Sequence, residues 1–378
     1  MGLANSQALY YPTRPWRQET EAMEMGLSLD GLANHDLTYE KKHELNIGVD
    51  LGFYHNRINL VFDWFKRNNY DLMGRIYTQG VGGETSKYAN VAEMTSHGVE
   101  WTLSTRNFEP VTKGGFAWST DWTFSYVKTN ITKLDSRSRV IDLVQGTGFP
   151  LVGYPHRAIF SYQFEGLDEH GLPVCINENG VKTNWDYNFQ EWDPEHLANL
   201  KYEGPVDPVF TGGFGNNFSW KGFDLNVFMT YSFGNKLRLD PVFSAGYSDL
   251  DALPKEFKNR WVVPGDEATT DIPVIASRRQ YYRNTYIGRG YSAYNYSTAR
   301  VADGGFIRLK EVALTYNLPE SFYKKLKLTS ASVKLAATNI CLLYSDKKLN
   351  GADPEFFNSG GVASPTPKQF TLTVRFGL

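Results

Sequence analysis

Phe370-Thr371-Leu372-Thr373-Val374-Arg375-Phe376 closes the chain as an alternation, with four large apolar side chains set between two threonines and an arginine. Successive strand side chains point to opposite faces, so this stretch is a strand with one greasy face and one wet face. Upstream the same dyad recurs. Leu45, Ile47, Val49, Leu51 and Phe53 alternate with Asn46, Gly48, Asp50 and Gly52. Phe116, Trp118, Trp122, Phe124 and Tyr126 alternate with Ser119, Asp121, Thr123 and Ser125, and Phe223, Leu225, Val227, Met229 and Tyr231 with Asp224, Asn226 and Thr230. Phe306–Pro319 and Ala331–Asn339 extend the set, and the chain is all-β.

A soluble sandwich also alternates, but its inward face is dry. Here the second face carries Asp, Asn, Thr and Lys334. Each run is about nine to eleven residues, the length a tilted strand needs to cross a bilayer, and aromatics recur at its ends as in an interfacial girdle. The greasy face is therefore expected to meet lipid and the polar face to line a lumen.

Connections fall into two classes. Tight ones are expected at 54–57, 107–115, 219–222 and 318–329, and long ones at about 67–96, 128–156, 178–205, 234–304 and 341–367. Short periplasmic turns and long extracellular loops are the asymmetry of outer-membrane barrels. Counting alternating directions back from Phe376 asks for one extra crossing between Ala158–Tyr162 and Phe210. Leu172-Pro173-Val174-Cys175-Ile176 is the best candidate, although Pro173 suits a strand interior poorly.

The tally is about eleven strands. Standing alone they would leave two open edges, which lipid does not tolerate. The expectation is the C-terminal half of a large antiparallel transmembrane β-barrel over residues 44–378, with residues 1–43 an irregular lead-in from the preceding part. Met1–Gln7 lacks the charged and apolar regions of a signal peptide, so none is expected in this sequence.

Composition narrows the function. The 378 residues carry 15 % aromatics and a net charge of −2, with no basic stripe for nucleic acid. Cys175 and Cys341 leave one disulfide open as an option but rule out a cysteine-rich zinc site. Seven scattered histidines show no metal-ligand spacing, and Gly80–Gly83 and Gly212–Gly215 do not open helices as phosphate loops do. Loop carboxylates such as Asp249, Asp251, Asp186, Glu191 and Asp193 have no scaffold fixing their separation, and no G-x-S-x-G occurs. No catalytic apparatus, metal or cofactor is expected.

Several phrases stand out: Leu37-Thr38-Tyr39-Glu40-Lys41 leading into Leu45–Asp50, Asn56-Arg57-Ile58, Gly98-Val99-Glu100, and Arg260-Trp261-Val262-Val263-Pro264-Gly265-Asp266-Glu267. Phe306–Lys310, Tyr316–Pro319 and Asp353-Pro354-Glu355 complete the set. On these, from about His35 onward, the chain resembles the SusC/RagA-type TonB-dependent outer-membrane transporters. The resemblance implies a barrel of about 22 strands with a plugged lumen, the plug domain itself not being expected within this sequence. It further implies import of oligosaccharides or peptides, a SusD-like surface lipoprotein as lid, and drive from TonB through an N-terminal part outside this stretch. The alternative is a secreted, lectin-like all-β module that binds glycans.

Loop aromatics are the candidate contacts with solute or partner, since Tyr and Trp dominate recognition surfaces. They are Trp185, Tyr187 and Trp192 in one loop, and Tyr281, Tyr282, Tyr286 and Tyr291 in the longest, beside Arg278, Arg279, Arg283 and Arg289. Loop-on-loop packing is the competing explanation.

Overall fold

The computed structural model describes residues 9–13, 26–31, 34–80, 86–112, 114–241, 255–277, 279–280, 286–357 and 365–377. A hairpin of β1 (Leu9–Thr13) and β2 (Gly26–Gly31) comes first. β3 (Lys41–Phe53), β4 (Ile58–Tyr77), β5 (Ser86–Phe108) and β6 (Ala117–Leu134) then follow as a meander. Five short strands come next: β7 (Ala158–Ser161), β8 (Gln163–Leu167), β9 (Pro173–Ile176), β10 (Lys182–Thr183) and β11 (Lys201–Pro205). Long strands resume with β12 (Phe210–Trp220) and β13 (Phe223–Phe233), and the short β14 (Lys236–Arg238) and β15 (Val301–Asp303) stand beyond them. β16 (Phe306–Asn317), β17 (Ser330–Ser345) and β18 (Gln369–Gly377) finish the chain.

One nine-stranded antiparallel sheet, ordered β18-β17-β16-β13-β12-β6-β5-β4-β3, contains all the long strands. Residues directly opposite in such a sheet share a face. One row runs Ile47, Trp64, Val99, Tyr126, Phe210, Phe233. A second runs Trp118, Phe218, Leu225, Leu314, Leu335, Leu372. Between them lie Leu51, Leu60, Leu103, Trp122, Phe214, Met229 and Leu309. Phe210 and Phe218 are eight residues apart, about 27 Å of extended strand. Strand tilt brings the band near the apolar height of about 25 Å known for membrane barrels.

The opposite face is polar along its whole width. Asp63, Glu100, Ser125, Thr211 and Ser232 form one row, and Asp224, Thr315, Lys334 and Thr373 another. Its groups satisfy one another: the Ser104 hydroxyl donates to Asp121 at 2.7 Å, Ser125 to Glu100 at 3.1 Å, and Lys334 faces Glu311 at 3.8 Å. Among the described residues no second sheet covers the apolar rows, and Phe370 and Leu372 remain 79 % and 65 % exposed. That geometry is wrong for a soluble sandwich and right for a wall bathed in lipid.

Local chemistry fixes the tight turns. Lys221 (φ 49°) and Gly222 (φ 88°) make the two-residue left-handed turn that matches hairpin twist. At the other end of β12, Gly212 leaves room for the Tyr231 ring to cross the strand. A Cβ there would stand 2.3 Å from the Tyr231 hydroxyl, which donates to the Thr123 carbonyl and accepts from the Trp122 indole at 2.8 Å. Close strand packing thus accounts for this glycine cluster.

The expected loop asymmetry holds at three of four outer connections. The connections at 54–57, 109–116, 221–222 and 318–329 share one rim, and the β4–β5, β6–β12, β13–β16 and β17–β18 connections share the other. The long loop expected at about 67–96 is corrected: β4 and β5 stay paired to Tyr77 and Ser86, so most of that stretch is strand. The proposed crossing at 172–176 is corrected: β9 pairs with β8 and β10 in a small separate sheet. Ala158–Ser161 also leaves the wall, because β7 pairs with β11. Both segments are too short to span, and β7 is buried on both faces, so it belongs to a core rather than to an interface. Removing them together preserves the alternation of directions, which is why nine strands close the count that had asked for about eleven. The sheet is open, with β3 and β18 as its edges.

Met229 sits midway between the two aromatic rows and faces outward. In the intact barrel Met229→Arg should cost about 2–4 kcal/mol, because an unhydrated charge would then lie at the bilayer centre. Thr230→Arg, facing the lumen, should cost far less. A denaturant titration of barrels refolded in lipid measures both, and equal costs would reverse the assignment of faces.

Candidate functional site

The two longest connections build one assembly above the long-loop rim. Its core joins Leu143 of the short helix Val140–Val144, Phe160, Tyr162, Cys175, Tyr187 and Ala293, the last from the helix Ile287–Asn295. Three buried arginines stitch the loops together. Arg238 donates to the carbonyls of Phe160 and Ser297 at 2.7 and 2.8 Å and to the Ser161 hydroxyl at 3.1 Å. Burial pulls its pKa down to about 10, so it is charged at neutral pH. Arg300 pairs with Glu256 at 2.6 Å and donates to the Asp240 carbonyl. Arg308 reaches from β16 to both Asp353 oxygens, at 2.5 and 2.6 Å, with its Nε 2.9 Å from Glu355.

These contacts give physical content to the sequence phrases. Asp353-Pro354-Glu355 is the carboxylate pair that Arg308 holds. In Arg260–Glu267, the Asp266 carboxylate accepts the amides of Val262 and Val263, and Glu267 accepts the Trp261 indole and the Gly265 amide. Those hydrogen bonds depress both acids below their ordinary values. The Trp261 ring covers Gly171, where a Cβ would come within 2.5 Å of it.

The expected aromatic contacts divide. Tyr187 and Tyr291 are both 2 % exposed; the Tyr187 hydroxyl donates to the Thr183 carbonyl and Tyr291 to that of Val274. They are framework, and packing explains them. Trp185, Trp192 and Tyr286 are about half exposed. Trp185 and Tyr286 meet edge to face at 5.3 Å, with Arg289 5.7 Å from the Tyr286 ring. Trp192 stands in a separate place under the Arg137 guanidinium, 4.2 Å from its ring centre. Tyr281 and Tyr282, with Arg278, Arg283, Asp249 and Asp251, lie outside the described residues. Both cysteines are free: Cys175 is buried in the loop core, its thiol pushed up to about 12, and Cys341 is on β17.

One cavity accompanies these aromatics. Its volume is about 580 Å³, and it opens beside Trp192 between the segments 134–138, 151–154 and 192–200. Sequence inspection finds Trp192 but not the cavity, because its aliphatic walls come from three loops whose meeting no local pattern announces.

An amphipathic antiparallel wall with its long loops gathered on one rim defines an outer-membrane β-barrel protein. Within that class the model for TonB dependent receptor-like β-barrels matches residues 5–242, and the chain belongs to this family, in its SusC/RagA branch. It is 28 % identical over 342 residues to the TonB-dependent receptor P3 of Formosa agariphila, covering 87 % of this chain and 32 % of that one. Receptor P26 of the same organism is 25 % identical over 382 residues, covering 92 % and 35 %. The solved RagAB peptide transporter superposes with a TM-score of 0.75 at 25 % identity, covering 98 % of this chain and 38 % of that chain. The chain thus spans about a third of the length of the curated relatives it matches, and it is an outer-membrane protein.

Two expectations follow from the buried charges. Glu178 is 1 % exposed; one oxygen accepts the Asn188 amide and the other has no partner, so burial raises its carboxyl pKa. Burial favours the neutral acid there, so the contribution of Glu178 to stability is full at low pH and falls as pH rises past the unfolded value of about 4.3, opposite in sign to that of Asp266 and Glu267. Glu178→Gln should stabilise the assembly at pH 7.5 and flatten that dependence, as read from thermal unfolding between pH 4 and 8; a destabilised, equally pH-dependent variant would refute this. Arg308→Ala should cost about 1–3 kcal/mol locally, since it strands the largely covered Asp353 carboxylate while Glu355 already reaches solvent. Hydrogen exchange should then show 346–357 opening first, and unchanged protection there would show that the clamp holds nothing.

Proposed function

We propose that the transporter to which this chain contributes imports oligosaccharides or peptides through the outer membrane, energised by TonB and lidded by a SusD-like surface lipoprotein. Residues 44–378 supply the C-terminal part of its barrel wall and several of its outer loops, and residues 1–43 lead in from the preceding part. The observation that carries this reading is the one-sided loop assembly: a rigid, arginine-clamped platform standing where an incoming solute and a lid would first touch the barrel. Trp185, Trp192 and Tyr286 present half-exposed rings there, large contact surfaces at low entropic cost. Tyr281 and Tyr282 belong to the same proposed contact set. The likeness to the RagAB peptide transporter supports the importer reading.

Uptake of labelled oligosaccharides and peptides by cells carrying the whole transporter is the test. Accumulation should vanish when the proton gradient is dissipated or TonB is deleted. It should fall at least tenfold in the combined variant Trp185→Ala, Trp192→Ala, Tyr286→Ala, with the barrel still assembled as judged by its resistance to unfolding in cold detergent. Uptake indifferent to the proton gradient would overturn the energised mechanism.

A further inference from the structure

The cavity beside Trp192 is unlike the rest of the outer surface. Leu134, Leu151, Val152, Leu197 and Leu200 make its walls aliphatic, and it is within the usual range of small-ligand sites at about 580 Å³. Arg137 stands at its edge, exposed, with its guanidinium over the Trp192 ring. Among the described residues no carboxylate is in ion-pair contact with Arg137, whereas its neighbours are spoken for: Lys133 pairs with Asp135 at 2.9 Å and Arg139 with Asp142 at 2.9 Å.

We propose that this cavity is a side-chain subsite for peptides, taking a branched aliphatic residue into the aliphatic pocket while Arg137 holds an acidic group of the same peptide. The proposal rests on the importer reading and narrows it to one of its two solute classes. A sugar ring is the poorer occupant. Most of its hydroxyls would be buried against aliphatic walls, which offer hydroxyl partners only at Ser136, Ser138 and Tyr154, with Ser138 already donating to the Pro150 carbonyl; and one face of the Trp192 ring, the surface on which a sugar would stack, is covered by the guanidinium. An aliphatic side chain needs no such partners, and the exposed cation beside it lacks only an anion.

The test uses the whole transporter in lipid nanodiscs and isothermal titration with three probes: acetyl-Leu-Asp-Leu-Asp-amide, acetyl-Gly-Asp-Gly-Asp-amide and maltoheptaose. Val152→Trp and Ala198→Trp fill the pocket from two exposed positions and leave the loop core intact. Each should weaken the leucine peptide at least tenfold and leave the glycine peptide unchanged. Arg137→Gln should weaken both acidic peptides several-fold, and more at low salt than at high. Equal affinities of the leucine and glycine peptides for the wild type, or leucine-peptide binding untouched by both filling variants, overturn the subsite. Maltoheptaose binding that the filling variants abolish assigns the pocket to glycans instead. Peptide uptake that persists in cells carrying the filling variants, with unchanged selectivity, removes the subsite but leaves the importer standing; a wild type that neither binds nor takes up peptide or glycan removes both.

Discussion

Inside the hydrocarbon layer no water is available to an unpaired amide, so a chain that crosses it as strands must pair every backbone group with a neighbour. That constraint sets the rest of this structure. Pairing imposes a register, and because side chains alternate with period two, a slip of one residue would turn Met229 into the lumen and Thr230 into lipid. The continuous rows from Ile47 to Phe233 and from Trp118 to Leu372 keep nine strands in step, with β-bulges between β4 and β5, β5 and β6, β13 and β16, and β16 and β17 taking up the local shifts. Where the outward face carries polar atoms, they are paired locally: the Asn216 side chain accepts the Trp118 indole at 2.9 Å and the Thr120 hydroxyl at 2.8 Å.

The same constraint explains what could be read from the sequence. Leu45–Phe53, Phe223–Tyr231 and Phe370–Phe376 were legible because lipid on one face and water on the other write the alternation directly into the residues. The segments 158–162 and 172–176 were misassigned as crossings because that logic stops at the rim. In the loop assembly both faces of β7 are buried, so Ala158, Ile159, Phe160 and Ser161 show no alternation, and a short apolar run says only that it is in some core. Composition likewise cannot separate Trp192, half exposed, from Tyr187, 2 % exposed five residues earlier, since aromatic rings serve recognition and packing equally. The Arg308 clamp joins residues 45 positions apart, and only folding brings them together.

Buried arginines are an expensive way to hold loops, because each must be desolvated and repaid by several directed bonds. The outer assembly uses them where a wall of aliphatic residues would be unsuitable. It stands in water, its segments are individually too short to bury much apolar surface, and its peptide carbonyls need donors. Arg238 meets two carbonyls and a hydroxyl from two other segments at once, Phe160 and Ser161 of β7 and Ser297, which a leucine in its place could not do.

Strand length ties the platform to the membrane wall. About nine to eleven residues suffice to cross, yet β4, β5 and β6 run for 20, 23 and 18 residues. The surplus lies beyond the aromatic row of Trp64, Val99 and Tyr126, on the long-loop side, so these strands continue out of the bilayer as a stiff parapet. The loop at 135–209 leans on it: the Asp135 amide donates to the Val91 carbonyl at 2.7 Å, and the Arg139 guanidinium lies 5.7 Å from the Tyr77 ring. Leu134, the last residue of β6, is itself a wall of the cavity beside Trp192. The wall of that cavity and the wall that meets lipid are therefore parts of one strand, because β6 continues without a break from Ala117 to Leu134.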